Sequence, residues 1–288
     1  MEEFTFDGTT MAFVRQGDCG PPVLMIHSAG SSHLIWTAQL AALAADHRVY
    51  AVDLPGYGAS DRPQSGYTLE RYTALIDAFV REQSLEGAAL VGNCVGSAIS
   101  LTLARRHPGR FRAVVAVNPL TESTAMHGDW RQAARVTRGV SDRTAHALSR
   151  WHTPRWFARR TARSWFFSGR AYRECPYIAP LSAGFPARAL IYLVRDLTAF
   201  AALDDWPDRA ALPPLCVIWG NQNQVLSAVA GHTLNVTALH PDRAEYLDGC
   251  GHVPMLERSA AVTAIVTEFL AAHLPADVIP DPAVPESV

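Results

Sequence analysis

The chain opens on alternating apolar and polar positions, Phe4-Thr5-Phe6 and then Met11-Ala12-Phe13-Val14, split by Asp7-Gly8. A period of two around a turn dipeptide predicts a hairpin of half-buried strands. The pattern then changes to short continuous apolar runs at 22–26, 48–52, 88–91 and 111–117. Runs of that length, bounded by turn residues, suit strands buried on both faces. Between them the apolar positions take helical spacing. One stretch runs through Trp36, Leu40 and Leu43, one over 68–83 through Leu69, Tyr72, Leu75, Ile76 and Phe79, and one through Ile99, Leu101 and Ala104. Strand and helix in alternation predict a parallel sheet covered on both faces.

The alternation stops after Asn118-Pro119. Residues 121–207 are rich in arginine and tryptophan (Trp130, Trp151, Trp156, Trp165, Trp206), with helical spacing and few strand signals. They are expected to form an inserted helical cap, leaving 1–120 and 208–274 as the core. Strand patterning returns at 214–220 and 244–247, and a closing helix is expected over 259–273. The tail from 275 to 288 is acidic and proline-rich, which predicts disorder. No internal repeat is visible.

Composition narrows the function classes. With 288 residues, 49% of them hydrophobic, the chain can bury a full core. A net charge of −2 gives no electrostatic basis for nucleic-acid or anionic-membrane partners. No apolar run reaches membrane-spanning length, and the acidic start Met1-Glu2-Glu3-Phe4 lacks the layout of a secretion signal. Five cysteines without repeated spacing read as reduced thiols, which predicts a cytoplasmic protein. All 25 basic residues are arginine, so a lysine Schiff base or a phosphate-loop lysine is excluded. His33, His107, His127, His146 and His152 have no ligand spacing with the cysteines, so no metal and no cofactor is expected.

Three segments carry chemistry. Gly92-Asn93-Cys94-Val95-Gly96 joins a predicted strand directly to a predicted helix. Small residues on both sides of Cys94 permit a tight turn that lifts its thiol to a helix N-terminus, where a thiolate is favoured. The plainer alternative is a buried cysteine in an ordinary turn. Gly251-His252-Val253-Pro254 lies between the last strand and the last helix, with Glu257 one turn on, and His27-Ser28-Ala29-Gly30 follows the strand that ends at Ile26.

Together with Asp53-Leu54-Pro55-Gly56-Tyr57-Gly58-Ala59-Ser60-Asp61, these segments resemble the α/β-hydrolase superfamily over nearly all of residues 4–273, the cap least. The resemblance implies an α/β fold with a mostly parallel, doubly wound sheet and an inserted helical cap. It puts Cys94 at the nucleophile position and His252 at the base, and forms an oxyanion hole from the N–H groups of Ala29 and Val95. The loop after Trp219-Gly220, where relatives carry an aspartate, reads Asn221-Gln222-Asn223-Gln224. Asn223 is therefore the expected third member, with Glu122 as the alternative. Ser28 replaces a customary glycine, and His27, Ser28 and Trp156 are expected to line the substrate site.

Cysteine and asparagine fit each other. A serine needs its base backed by a charge, whereas a thiol is acidic enough that an imidazolium partner needs only orientation. The resemblance implies a cysteine-dependent hydrolase or acyltransferase acting on an ester or thioester. Its expected partner is a small-molecule or carrier-bound acyl substrate, in the tailoring of a polyketide-type natural product. Two other classes stay open: a lyase eliminating acetate or another carboxylate from an acylated tetronate-like intermediate, and a non-catalytic binding protein. The cap arginines read either as a solvated face or as holders of an anionic substrate group, and the oligomeric state is left open.

Overall fold

The computed structural model describes residues 1–128, 131, 132, 134, 136, 141–206 and 209–274. The expectations for Trp130 and for the tail 275–288 lie outside these residues. Eight strands form one sheet: β1 (Glu2–Phe6), β2 (Thr9–Gln16), β3 (Pro22–Ile26), β4 (Arg48–Val52), β5 (Ala89–Asn93), β6 (Ala113–Val117), β7 (Leu215–Gly220) and β8 (Arg243–Leu247). Their order is β1-β2-β4-β3-β5-β6-β7-β8. β2 pairs antiparallel with β1 and β4, and every later pairing is parallel. The strands read as continuous apolar runs, β3, β4, β5 and β6, are buried at essentially every position, as is β7, in keeping with inner strands of a sheet covered on both sides.

Helices α1 (Thr37–Leu43), α2 (Leu69–Glu82) and α3 (Val95–Arg106) connect the parallel strands. Thr68 caps α2 by accepting from Arg71 N–H, and the apolar stripe of α2 faces the sheet, where Phe79 meets Phe4 and Phe13 edge-on. Every residue of α3 from Val95 to Ala104 is buried. Its hydroxyls are accommodated because Ser97, Ser100 and Thr102 donate to the carbonyls of Cys94, Gly96 and Ala98, at 2.7, 2.8 and 2.7 Å.

Between β6 and β7 lie α4 (Glu122–Met126), α5 (Asp142–Ser149), α6 (Arg155–Trp165), α7 (Gly169–Glu174), α8 (Ile178–Leu181) and α9 (Ala187–Arg195). Among the described residues of this insertion the only strand-like pairing is one bridge, His152 with Pro186. After β7 come α10 (Ala228–Leu234), α11 (Pro254–Glu257) and α12 (Ser259–His273).

The sheet order fixes where a site can form. The chain runs from β3 outward to β4, then returns to place β5 on the other side of β3. Loops leaving the carboxyl ends of β3 and β5 therefore diverge and leave a crevice. The start of α3 crosses beneath that crevice at close range. A Cβ on Gly96 would sit on the carbonyl oxygen of Ile26, and one on Gly92 would sit on the backbone of Gly96 and Ser97. Gly96→Ala should therefore cost roughly 4 kcal/mol or more, whereas Gly109→Ala, strained by its φ of +79° but facing open space, should cost only about 1 kcal/mol. Thermal unfolding of the two variants checks this, and equal losses would mean that the crossing can relax.

Candidate active site

Cys94 sits at the turn between β5 and α3 with φ 54° and ψ −112°, a backbone setting that a non-glycine residue holds only when its surroundings enforce it. Cys94 N–H donates to Val117 O at 3.0 Å, and Cys94 O accepts from Ala98 N–H at 3.1 Å. The side chain is 1% exposed. Burial pushes its thiol up to about 12, and the N–H of Val95, which faces the sulfur, opposes this only in part. Burial therefore favours a neutral thiol over the expected thiolate. The helix N-terminus contributes that single N–H, and desolvation outweighs it.

His252 lies on the loop after β8 and is 2% exposed. Burial alone drives its imidazole down to about 3, and no charged group offsets this. Its backbone is pinned from three sides. His252 N–H donates to Trp165 O at 2.7 Å, and His252 O accepts from the amides of Asn118 and Asn93 at 3.0 and 3.3 Å. Asn118 also accepts from Gly220 N–H at 3.1 Å, which binds the end of β7 to the same loop. Glu257 accepts from Gly251 N–H at 2.6 Å and from Ser168 N–H at 2.9 Å, tying the histidine loop to the insertion. Asn93, Asn118 and the clamp role of Glu257 escaped the sequence reading, because a residue that holds another's backbone carries no motif of its own.

Asn223 takes a different part from the one expected. Its Oδ1 accepts from Val225 N–H at 3.0 Å and Leu226 N–H at 3.2 Å, capping the turn after β7. Its Nδ2 and His252 Nδ1 are both buried without a hydrogen-bond partner among the described residues. With the oxygen engaged, Asn223 has an N–H rather than an acceptor left for the imidazole. Glu122 lies in the first turn of α4, where its charge acts on Asp204 and not on His252.

The expected oxyanion loop follows β3. Gly30, at φ +85°, lies against the Trp165 indole and the Phe185 ring, which a Cβ there would meet at 3.0 and 3.4 Å. Neither Ala29 N–H nor Val95 N–H donates to a backbone carbonyl among the described residues. His27 and Ser28, expected to line the substrate site, spend their polar atoms within the protein. His27 Nε2 accepts from Leu54 N–H at 2.8 Å, so Nδ1 carries the proton and donates to Ser28 O at 2.7 Å. Ser28 Oγ pairs with Ser31 Oγ at 3.0 Å. Both residues are wholly buried and brace the loop instead. Asp53 joins in the bracing. Burial would raise its carboxyl, but the His33 side chain at 2.9 Å and Ala59 N–H at 2.9 Å hold it below the usual range.

Trp156 is likewise displaced from the expected role. It is 68% exposed on the outer face of α6, beside Phe157. The tryptophan over the site is Trp165, one end of the same helix, buried and in contact through both its carbonyl and its indole. A cavity of about 300 Å³ opens beside the loop, walled by Gly30, His33, Tyr57, Arg62, Leu181 and Phe185. Among the described residues no group of His, Cys, Asp and Glu is placed to hold a metal, and no helix is long and apolar enough to cross a membrane.

The family model described as alpha/beta hydrolase fold matches residues 21–259. The dihydrolipoyllysine-residue acetyltransferase component of the acetoin cleaving system of Cupriavidus necator is 31% identical over 126 residues, covering 44% of this chain and 34% of that protein. A haloalkane dehalogenase of Agrobacterium fabrum is 36% identical over 101 residues, covering 35% and 33%. The chain thus spans about a third of the length of each of these two relatives. Among solved structures, a thermophilic esterase from Thermogutta terrifontis superposes with a TM-score of 0.78 at 18% identity, covering 95% of this chain and all of that one. At that identity the likeness is one of fold.

The two neutral groups set the pH behaviour. The folded state binds the His252 proton less readily than the unfolded chain does, so this residue stabilises the fold above pH 6.5, and the contribution drains away as pH falls toward 3. Denaturant titrations between pH 7 and 4 should show a steep loss that His252→Gln flattens. In the closed protein, iodoacetamide at neutral pH should alkylate exposed Cys19 before buried Cys94. Faster labelling of Cys94 in peptide mapping would show that its thiolate forms in the resting state after all.

Proposed function

The chain belongs to the alpha/beta hydrolase fold family, and from that premise we propose that it is a hydrolase or acyltransferase whose Cys94 takes the acyl group of an ester or thioester. The observation carrying this reading is the enforced backbone of Cys94, whose sulfur stands at the N-terminus of α3 and faces Val95 N–H. A cysteine serving only as core filling has no need of a strained turn at the sheet's crevice. The substrate is a small-molecule or carrier-bound acyl compound, and the neutral, apolar surroundings suit an uncharged acyl group of the kind found in polyketide-type products.

The first step moves one proton and forms one bond. Sγ attacks the acyl carbon, the thiol proton passes to His252 Nε2, and the carbonyl π pair moves onto oxygen, where Ala29 and Val95 N–H groups receive it. Collapse expels the alcohol or thiol, which takes the proton back, and water or another acceptor then releases the acyl group. Because Cys94 and His252 rest neutral, proton transfer accompanies the attack instead of preceding it. Nε2 must be the free nitrogen, so Nδ1 carries the ring's own proton and gains from an acceptor beside it. Asn223 serves poorly there, since its oxygen is committed to Val225 and Leu226.

Asn223→Asp should cap the same turn with one oxygen and offer the other to Nδ1–H. We expect kcat/KM on p-nitrophenyl acetate to rise roughly tenfold, a modest part of the ~10²–10⁴ that a well-poised base is worth. A fall would mean that the Asn223 N–H holds Nδ1 and that His252 works as a donor from Nε2. In ¹⁸O-water the released acid should carry label, with a transient acyl mass on Cys94. Unlabelled acid beside an unsaturated co-product would replace this reading with elimination of a carboxylate.

A further inference from the structure

We infer that the Tyr57 hydroxyl is a third donor of the oxyanion site, hydrogen-bonding the oxygen of the acyl group while that group is joined to Cys94. The inference rests on the acyl-transfer reading above and adds a residue for which the family pattern supplies no role.

Tyr57 follows β4 on a loop that is stapled at both ends. Tyr57 N–H donates to Leu54 O at 3.0 Å, Gly56 N–H to Asp61 O at 2.7 Å, and Ser60 N–H to Tyr57 O at 3.2 Å. The ring is wedged edge-on between His27, at 5.8 Å and 90°, and Phe185, at 5.7 Å and 61°. It therefore links the braced loop after β3 to the insertion that covers the site, and its position is set from three sides.

The phenol of Tyr57 is 2% exposed, and its hydroxyl finds no acceptor among the described residues, although Gly30 N–H approaches its oxygen. The other two tyrosines of the cluster contrast with it. Tyr67 donates to Pro63 O at 2.6 Å and Tyr72 to Pro55 O at 3.0 Å. A buried O–H left without an acceptor is destabilising, and folds rarely keep one without a use. The groups around this oxygen say what the use is. Burial raises the phenol far above its ordinary range, Tyr67 and Cys94 add to the rise, and only the N–H of Gly30 opposes it. Tyr57 thus presents a permanently protonated donor beside the nucleophile and the oxyanion loop. It also walls the 300 Å³ cavity that opens beside that loop.

The chemistry follows from polarity. Val95 N–H faces Cys94 and Gly30 N–H faces the Tyr57 oxygen, and the described residues provide no acceptor for the Tyr57 hydroxyl. A carbonyl oxygen gaining charge as the Sγ–C bond forms is such an acceptor, and the interaction strengthens as the tetrahedral species develops.

The test compares Tyr57→Phe and Cys94→Ala with the parent, using p-nitrophenyl acetate as substrate and an aryl trifluoromethyl ketone, which adds a thiol to form a tetrahedral adduct. Tyr57→Phe should lower kcat by about 10²-fold with KM little changed and weaken the ketone by a similar factor. It should leave Cys94 alkylation by iodoacetamide unaltered, since that reaction develops no oxyanion. Melting temperature should hold or rise, because the unpaired hydroxyl is gone. Unchanged kcat and ketone affinity in Tyr57→Phe, with Cys94→Ala inactive, would overturn the inference and leave acyl transfer standing. A lowered melting temperature with parental activity would make Tyr57 structural and overturn it equally. Full turnover by Cys94→Ala would remove the acyl-enzyme reading, and the Tyr57 role with it.

Discussion

The close passage of α3 under the crevice between β3 and β5 is the constraint on which the site depends. Gly96 lies against the Ile26 carbonyl and Gly92 against the backbone of Gly96 and Ser97, so neither position has room for a side chain. That contact forces the residue between them to turn sharply, and Cys94 adopts φ 54° as a consequence. The sheet order puts this turn where the loops after β3 and β5 diverge, and a cavity opens beside the first of them at Gly30 and Tyr57. Helix burial, the orientation of the Cys94 side chain and the position of the loop after β3 all follow from one steric fact.

Around that turn the described residues bury both titrating groups and set no counter-charge against them. The His252 imidazole lies low and the Cys94 thiol high for the same reason, since each would have to carry its charge in a medium that solvates it poorly. A carboxylate in the place of Asn223 would change this balance. Its absence is compatible with the proposed attack by sulfur, because a thiol gives up its proton more readily than a hydroxyl. What the site lacks in charge it supplies in rigidity. Asn93, Asn118 and Trp165 hold the backbone of His252, Glu257 holds Gly251, and His27 and Asp53 brace the loops on the other side.

The insertion between β6 and β7 closes the site by a few specific contacts. Trp165 covers the histidine loop with its carbonyl and the Gly30 turn with its indole, while Phe185 presses on Gly30 and Tyr57. These contacts add to the burial around the site, and burial is what shifts both titrating groups. The insertion therefore acts on the electrostatics of the site as well as on access to it.

By itself the sequence determined the sheet, the connecting helices, the turn at Cys94 and the loops carrying His252 and Ala29. Those features rest on local physics: hydrophobic period, glycines where a chain must turn tightly, and the order of segments along the chain. The closing helix over 259–273 and the buried strands were legible for that reason. Only the tertiary structure decided the rest. Composition showed several tryptophans between 121 and 207, but which one faces inward depends on how α6 lies on the core, and it is Trp165 instead of Trp156. The motif put His27 beside a substrate, whereas its nitrogen is spent on Leu54 N–H, a partner on the adjacent strand's loop. The thiolate expected of Cys94 presumed a helix end in contact with water. The fold removes that water, and desolvation depends on residues distant in sequence, so no local pattern around position 94 could have shown it.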